Sequence, residues 1–247
     1  MTHFDALAPE YDRLRPAGDG WNELAEHSLA ALSGTRRLVD VGCGTGRFAV
    51  FAAERLGARV WGVDASAEML REAKSRPGAR GVGWRRADAA HLPFRDGWFD
   101  AAHSHLVLHL VDDLPAAIAE LARVLAPGGR LVVGTFAPEH FREFFLNPYF
   151  PSIPAIDLGR FPDPNGLCRE LTSAGFAGAT VERFDQDVEA SAADALDRVR
   201  GRYISTLRLL EADEYEAGLA RLEADVGAGT ERFGYRLRWA LVTARRG

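Results

Sequence analysis

The sequence predicts an α/β fold in which helices cover both faces of a doubly wound, mostly parallel sheet. Short β-branched runs alternate with helical patterns from Arg37 to Phe136, and this alternation is typical of βα units. A glycine-rich segment, residues 42–46, directly follows the first run. Because βαβ crossovers are right-handed almost without exception, such units wind into a single sheet. At 247 residues the chain is long enough to bury a substantial core, and we expect residues 1–247 to form one domain.

The alternating region contains five candidate strands and three candidate helices. The strands are predicted at 37–41, 58–64, 81–88, 98–104 and 129–136, and the helices at 46–56, 66–75 and 113–125. Asp113 is suited to cap the third helix and Pro115 to lie in its first turn. The PGG sequence at 127–129 is typical of a helix end, and the fifth predicted strand begins at its last residue, Gly129.

The two ends of the sequence depart from this alternation. An amphipathic helix is predicted at 19–33, within an amino-terminal arm that comprises residues 1–35. Residues 138–164 are rich in proline and aromatic residues and predict a surface excursion. A helix at 165–174, a strand at 178–188, helices at 191–210 and 213–225 and a strand at 232–246 follow. We expect residues 138–164, the first insertion, and residues 189–228, the second insertion, to form a cap or lid.

Composition excludes several classes of function. The net charge of −5 and the dispersed arginines predict no attraction to nucleic acid or to an anionic membrane. No apolar run approaches the roughly 20 residues that span a bilayer, and the first residues lack a signal-peptide pattern, so we expect a cytoplasmic protein. Cys43 and Cys168 have no metal-ligand spacing, and we expect reduced thiols and no metal site.

The glycine-rich segment predicts a ligand site. Gly42, Gly44 and Gly46 lie between a predicted strand and a predicted helix, where a tight turn lets a ligand approach the backbone. Asp64 ends the next strand, close to the spacing at which an acid meets a ribose. A dinucleotide and S-adenosylmethionine both fit this pattern, as does a purely structural turn. Arg47 stands where a dinucleotide fingerprint has its last glycine, which disfavours the first ligand.

Five motifs in order resemble those of the class I S-adenosylmethionine-dependent methyltransferases. The resemblance is to the small-molecule, "type 11" group, which includes the ubiquinone and menaquinone biosynthesis enzymes. The motifs are VDVGCGTGRF, GVDASAEML, ADAAHLPF, FDAAHSHLVLHLVDD and ELARVLAPGGRLVV. The resemblance implies a Rossmann-like sheet of seven strands in the order 3-2-1-4-5-7-6, with strand 7 antiparallel. It also implies methyl transfer from S-adenosylmethionine to O, N or C of a small-molecule acceptor.

The same resemblance implies roles for individual residues. The glycine turn would contact the methionine moiety, Asp64 the ribose, and Asp88 the adenine amino group, while Ala89 would present backbone and Met69 its side chain to the ring. Arg15, in the YDRLRP sequence, would pair with the ligand's carboxylate. The expected cofactor-binding set is Arg15, Asp40, Gly42, Cys43, Gly44, Gly46, Asp64, Ala65, Met69, Asp88, Ala89 and Ser104.

Two residues of this set have alternative interpretations. Asp40 could hold the backbone amides of the turn, or it could contact the ammonium group of the ligand indirectly. Cys43 is interpreted as a small residue between glycines and not as a nucleophile. A sulfonium is already an activated methyl donor, so positioning is the main requirement of the reaction.

Candidate catalytic residues are Tyr11, His105 and His109. Tyr11 belongs to the arm segment that would close over the ligand. The two histidines follow the fourth strand, where ligands of doubly wound folds bind, and could orient the acceptor or act as a general base, since imidazole titrates near neutral pH. A satisfied structural histidine is the alternative for each. His103 is expected to point into the surroundings of the sheet.

The acceptor is expected to be an apolar or aromatic small molecule, held above strands one and four. Aromatic residues of the first insertion could line its pocket or could form the packing core of a lid; they are Phe141, Phe144, Phe145, Tyr149 and Phe150. The charged stretch at 198–202 is expected to be a solvated helix face. A non-catalytic S-adenosylmethionine-binding protein and a nicotinamide oxidoreductase remain the alternative functions.

Overall fold

The computed structural model describes residues 4–247, apart from the side chains at positions 19 and 20. The first three residues of the predicted arm therefore lie outside the described residues. The strands are β1 Arg37–Val41, β2 Arg59–Asp64, β3 Val82–Arg86, β4 Phe99–His105, β5 Leu125–Phe136, β6 Phe176–Ser191 and β7 Arg232–Arg246. They form one seven-stranded sheet in the order β3-β2-β1-β4-β5-β7-β6.

Strands β1 to β5 pair in parallel, and β7 runs antiparallel to both β5 and β6. Leu38 of β1 pairs with Val60 on one side and with Ala101 on the other, and all three side chains are buried. Strands buried on both faces are typical of parallel sheets covered by helices. The predicted α/β class, strand order and antiparallel seventh strand are confirmed.

The fifth strand differs from its prediction at its start. It begins at Leu125 and not at Gly129, and its pairing with β4 shifts register between Phe99 and Ala101. Gly128 has φ +76°, and a Cβ on Gly129 would stand 2.7 Å from the carbonyl oxygen of Ala126. The glycines therefore form a bulge inside the strand, which the sequence pattern alone does not distinguish from a helix end.

The helices are α1 Tyr11–Leu14, α2 Asp19–Ala31, α3 Arg47–Leu56, α4 Ala67–Ser75, α5 Leu114–Val124, α6 Pro138–Arg142, α7 Ile153–Arg160, α8 Pro164–Ser173, α9 Ala192–Arg200 and α10 Ala212–Gly227. Asp113 caps α5 as predicted, because its carboxylate accepts from the amide of Ala116 at 2.9 Å. The helix predicted at 191–210 ends at Arg200, and Arg202 has φ +47°, which a continuing right-handed helix does not allow.

Apolar side chains form one hydrophobic cluster on each face of the sheet. Residues of α5 and α8, such as Leu121 and Leu167, cover one face together with Phe99. Residues of α2 and α3, such as Leu24 and Phe48, cover the other face. This arrangement makes α2, although it belongs to the predicted arm, part of the core.

The two insertions share a third hydrophobic cluster. Phe150 and Ile153 of the first insertion are fully buried together with Leu207 and Leu222 of the second. Polar contacts join them as well, since the hydroxyl of Thr206 donates to Asp157 at 2.6 Å. Two segments that are far apart in sequence thus form one structural layer. Within residues 4–247 no helix is long and apolar enough to cross a membrane.

Candidate functional site

The turn between β1 and α3 has the left-handed backbone that its glycines allow. Gly42, Gly44 and Gly46 have φ values of +73°, +54° and +76°. The amides of Gly42 and Cys43 both donate to the carbonyl oxygen of Val63, at 2.8 and 2.9 Å. The turn is thereby tied to the end of β2, which is where Asp64 is predicted to bind a ribose.

Each glycine of the turn meets different surroundings. A Cβ on Gly42 would stand 2.2 Å from the side chain of Val107, and one on Gly46 would stand 2.5 Å from Trp84. Among the atoms of residues 4–247, none lies within 4 Å of a Cβ on Gly44. Two glycines therefore allow close packing of the protein on itself, and only Gly44 borders free space, which is the space that a ligand needs.

Asp64 holds the turn in addition to its predicted role. Its carboxylate accepts from the amides of Gly44 and Ser66, each at 2.8 Å. Burial raises the pKa of this carboxyl above its ordinary value, although the hydrogen bonds from the two backbone amides favour the charged form. Carboxylate oxygens have further lone pairs, so two ribose hydroxyls can still donate to Asp64.

The adenine-contacting residues predicted from the sequence lie near the ends of β2 and β3. Ser66 caps α4 by accepting from the amide of Met69 at 3.1 Å, and the Met69 side chain is buried. Asp88 is exposed and accepts from the amide of Ala90 at 2.7 Å. Ala65 is exposed and Ala89 is buried. These positions place a carboxylate and a small residue at the same edge of the sheet as the glycine turn.

Asp40 and His103 form a buried pair between neighbouring strands. The Oδ1 atom of Asp40 lies 2.8 Å from Nδ1 of His103, and the imidazole stacks on Phe48 at 3.6 Å. The hypothesis that Asp40 holds the turn amides is wrong, because those amides donate to Val63 and Asp64. Within the described residues, Oδ2 of Asp40 and the hydroxyl of Ser104 are buried without a hydrogen-bond partner.

Cys43 is a buried thiol within the turn. Burial, together with the charges of Asp40 and Asp64, holds the pKa of this thiol well above its ordinary value. A protonated thiol is a poor nucleophile, which agrees with its interpretation as a small residue. Among residues 4–247 no three metal-ligating side chains come together.

The amino-terminal arm contacts the glycine turn through Asp12. Its carboxylate accepts from the hydroxyl of Thr45 at 2.8 Å and from Arg47 at 2.9 Å, and it also pairs with Arg76. The amino-terminal 3-10 turn, Ala8–Glu10, packs on α4. Asp12 is not among the predicted site residues, although it stands next to Tyr11, which is one of them.

Tyr11 and Arg15 lie together in the amino-terminal arm. The Arg15 guanidinium lies 4.8 Å above the Tyr11 ring and donates to its hydroxyl at 3.0 Å. A second nitrogen of Arg15 donates to the carbonyl oxygen of Tyr203 at 2.6 Å. Arg15 therefore connects the arm to the second insertion, a contact for which the sequence carries no local signal.

His105 and His109 differ from their prediction in protonation. Burial, with a smaller contribution from the Arg15 charge, lowers the pKa of both to about 3. The expectation that they titrate near neutral pH is therefore wrong. Neutral imidazoles can orient an acceptor by hydrogen bonding but are weak bases at neutral pH. His103 is buried on the sheet face that also carries His105, with ring centroids 6.1 Å apart.

Aromatic side chains surround these histidines. His109 stacks on Phe161 at 3.7 Å, and Phe161 contacts Phe141 at 4.6 Å. His105 contacts Trp239, whose ring stacks on Phe136 at 4.3 Å. A cleft of about 450 Å³ opens beside His109, with Asp113, Arg160 and Phe161 among its lining residues.

Most aromatic residues of the first insertion pack into the cluster that the insertions share. That set is Phe144, Phe145, Tyr149 and Phe150. Of the five predicted candidates, Phe141 alone contacts the aromatic ring beside His109. Phe161 and Trp239 were missed, because nothing in a single sequence distinguishes a ring at a site from a ring in a core.

The stretch at 198–202 is not simply a solvated helix face, so that expectation is wrong. Arg200 is exposed and pairs with Glu223 at 2.7 Å. Arg202, however, is half-buried and its guanidinium lies 3.7 Å from the centre of the Tyr215 ring. Arg198 contacts Tyr235 and is also half-buried.

These elements converge at the carboxyl ends of the parallel strands, where ligands of doubly wound folds bind. The fold and this edge define a class of enzymes that bind a nucleoside-containing cofactor at β1 and β2 and a second ligand near β4.

Similarity to known proteins identifies the family of this chain. Residues 39–133 match the model of a methyltransferase domain. The chain is 34% identical over 208 residues to 2-phytyl-1,4-naphtoquinone methyltransferase of Nostoc punctiforme, covering 72% of this chain and 89% of that protein. It is 35% identical over 201 residues to demethylmenaquinone methyltransferase of Thermus thermophilus, covering 70% and 91%.

A solved structure has the same fold. It is phosphoethanolamine N-methyltransferase 2 of Haemonchus contortus in complex with S-adenosylmethionine, with TM-score 0.63 and 18% identity over 98% of this chain and 57% of that one. The chain described here belongs to the class I S-adenosylmethionine-dependent methyltransferases. It is an enzyme that transfers a methyl group from S-adenosylmethionine to a small-molecule acceptor, and the two alternative functions are not favoured.

The residues present fit this cofactor. Gly44 leaves free space above the turn, and the unpartnered Oδ2 of Asp40 can accept from an ammonium group directly or through water. Asp64 retains acceptor capacity for ribose hydroxyls, and Arg15 supplies a cation for a carboxylate. The amino-terminal end of α3 adds backbone donors beside the same space.

Proposed function

We propose that the acceptor is a planar, largely apolar molecule that carries a hydroxyl or keto oxygen, as a quinol ring does. One observation carries this proposal: two rows of aromatic rings end at His105 and His109, on either side of the Val107 that packs on Gly42 of the glycine turn. Planar rings stack favourably on such surfaces. The two relatives named above are quinone methyltransferases by name, which supports an acceptor of this kind.

Within this proposal, the histidines act as neutral hydrogen-bonding groups. The Nε2 atom of His105 is buried and has no partner among the described residues, so an acceptor oxygen can bond to it. S-adenosylmethionine supplies an electrophilic methyl group, so an acceptor with a nucleophilic lone pair or carbon needs mainly to be held in line. Tyr11 and Arg15 exclude water from one side and fix the ligands from above.

The proposed site residues for the cofactor remain those predicted from the sequence, with Asp12 added as a residue that holds the arm. We also propose that residues 1–247 act as one domain, with the arm and the two insertions covering the acceptor. The shared hydrophobic cluster of the insertions supports a rigid cover. We also propose that the enzyme acts in the cytoplasm and has no nucleic-acid or membrane partner. The net charge of −5 supports the absence of such partners.

The test is transfer of a labelled methyl group. The enzyme is incubated with methyl-tritiated S-adenosylmethionine and with 1,4-naphthoquinol derivatives that carry an apolar substituent. We expect label in the organic extract for wild type and none for Gly44→Val, which keeps the fold but fills the donor space. Phe161→Ala should raise the acceptor KM roughly tenfold, the scale of one aromatic contact, at unchanged cofactor KM. Label that enters only protein or nucleic acid would contradict the proposal.

A further inference from the structure

Four arginine side chains converge on residues 202–208, which we call the 202–208 segment. Arg15 of the arm donates to the carbonyl oxygen of Tyr203 at 2.6 Å. Arg160 of the first insertion donates to the hydroxyl of Ser205 at 2.9 Å. Arg202 donates to the carbonyl oxygen of Leu207 at 3.0 Å, and Arg208 belongs to the segment itself. All four side chains are half-buried.

Carboxylates do not balance these charges. Asp157 lies 3.6 Å from Arg160 and accepts from Thr206, and burial raises the pKa of its carboxyl. Among the side chains that the structure describes, no carboxylate pairs with Arg15, Arg202 or Arg208. Half-buried guanidinium groups are normally paired, because burial of a lone charge is costly.

Backbone strain occurs at the same place. Arg202 has φ +47°, a left-handed backbone conformation that residues other than glycine rarely adopt. Its guanidinium stacks on Tyr215, so the side chain is fixed in place and does not extend into solvent. Strained residues of this kind cluster at ligand sites.

The 202–208 segment borders the proposed acceptor position from two directions. Arg15, which it binds, also contacts Tyr11. Arg160, which it also binds, precedes Phe161, the ring that stacks on His109. A group held by these arginines therefore lies near the second ligand of the enzyme.

We propose that the 202–208 segment, with Arg160, forms a subsite for an anionic group of the acceptor, a carboxylate or phosphate, next to the Arg15 that is proposed to hold the carboxylate of the cofactor. This inference rests on the proposed function, since it adds a charged substituent to the planar acceptor. Guanidinium groups present paired donors that match the oxygens of such anions. The methionine carboxylate of the cofactor has the same chemistry, so the experiment separates the two sources.

The experiment measures thermal stabilisation by sodium benzoate and by inorganic phosphate, at constant ionic strength set with chloride. Wild type should be stabilised by at least one of the two anions. Arg208→Gln should bind that anion roughly tenfold more weakly, the loss of one contact to a charged group. Arg200→Gln, an exposed arginine of the same insertion, is the matched control and should bind it as wild type does.

Two further arms make the result decisive. Asp157→Asn removes the carboxylate that lies 3.6 Å from Arg160 and should tighten anion binding, which keeps the test valid if Arg208→Gln fails to fold. Saturation with S-adenosylhomocysteine should leave the anion effect intact. Loss of the effect under saturation would assign the arginines to the cofactor and overturn the inference. Equal shifts in all variants, or none in wild type, would also overturn it. The proposed function fails separately, if wild type transfers no labelled methyl group to the naphthoquinol derivatives.

Discussion

The backbone amide of Gly44 donates a hydrogen bond to the carboxylate of Asp64 at 2.8 Å. The residue predicted to bind the ribose thus also holds the glycine next to the free space of the donor site. Gly44 and Asp64 are 20 positions apart in sequence, and this hydrogen bond joins them in the structure. Substitutions at either residue therefore affect the same ligand for different physical reasons.

Asp64→Asn should weaken S-adenosylhomocysteine binding by about 1.5–3 kcal/mol, the scale of hydrogen bonds to a charged group. The asparagine side chain has a single acceptor oxygen. It therefore cannot accept from the backbone amides of Gly44 and Ser66 and from a ribose hydroxyl together. Titration calorimetry measures the affinity. Asp96→Asn, at an exposed position remote from the turn, is the control. An unchanged affinity for Asp64→Asn would remove this residue from the site.

The glycines of the turn should separate folding from binding. Gly44→Val should fold, at a cost of about 1–2 kcal/mol for a side chain in the left-handed region, and should lose cofactor binding. Gly42→Val should fail to fold stably, because its Cβ would clash with Val107 at 2.2 Å. Circular dichroism melting reports the first property and calorimetry the second. A Gly44→Val variant that binds S-adenosylhomocysteine as wild type does would refute the assignment of the turn.

Asp12 should control closure of the arm. Asp12→Asn removes the charge that pairs with Arg47 and Arg76, so cofactor affinity should fall by about 1–2 kcal/mol. Hydrogen exchange should show that the arm of this variant is less protected when S-adenosylhomocysteine is bound. Asp12→Asn combined with Arg76→Gln should cost less than the sum of the two single changes. Additive losses would show that the ion pair does not couple the arm to the turn.

Stability should fall in mild acid because of three buried histidines. Burial lowers the pKa of His105 and His109 to about 3 and that of His140 to about 4, from an ordinary 6.5. The unfolded chain binds more protons in this window, so the stabilisation is complete above pH 6.5 and is lost as the pH falls toward 3. Each histidine should cost about 2 kcal/mol between pH 7 and pH 5.

Urea unfolding at the two pH values measures this loss. His140→Phe should reduce the loss of stability by about the contribution of one histidine. The imidazole already stacks on Phe136, so an apolar ring can replace it. His91→Phe, at an exposed position, is the control and should leave the loss unchanged. An equal loss of stability between pH 7 and pH 5 in wild type and in His140→Phe would contradict the contribution assigned to His140.

The fold could be predicted from the sequence because its signals are local. Strand, glycine turn and helix follow one another within residues 37–56, and Asp113 and Pro115 mark the start of α5. The bulge in β5 could not be predicted, because a glycine pair such as Gly128 and Gly129 is also typical of the end of a helix. Whether such a glycine pair ends a helix or bends a strand depends on the neighbouring strand.

The candidate site was predictable only where one motif carries the chemistry. Asp64 and the glycines have their roles within short segments. The partner of Asp40, in contrast, is His103, which lies 63 positions later, and the contact of Arg15 with Tyr203 spans 188 positions. Pairs of this kind depend on tertiary packing, and the lowered pKa values of His105 and His109 follow from the same burial.

During synthesis, the first insertion leaves the ribosome well before the residues that bury it. Phe150 packs so closely on Gly218 of the second insertion that an added Cβ would stand 2.3 Å from its ring. At 5–20 residues per second, the roughly 70 residues between Phe150 and Gly218 take about 3–14 s to make. β7 is also made after both of its neighbours, β5 and β6. For those seconds the nascent chain exposes aromatic surface and an unpaired strand edge, and chaperone capture competes with self-association to decide the yield of folded enzyme.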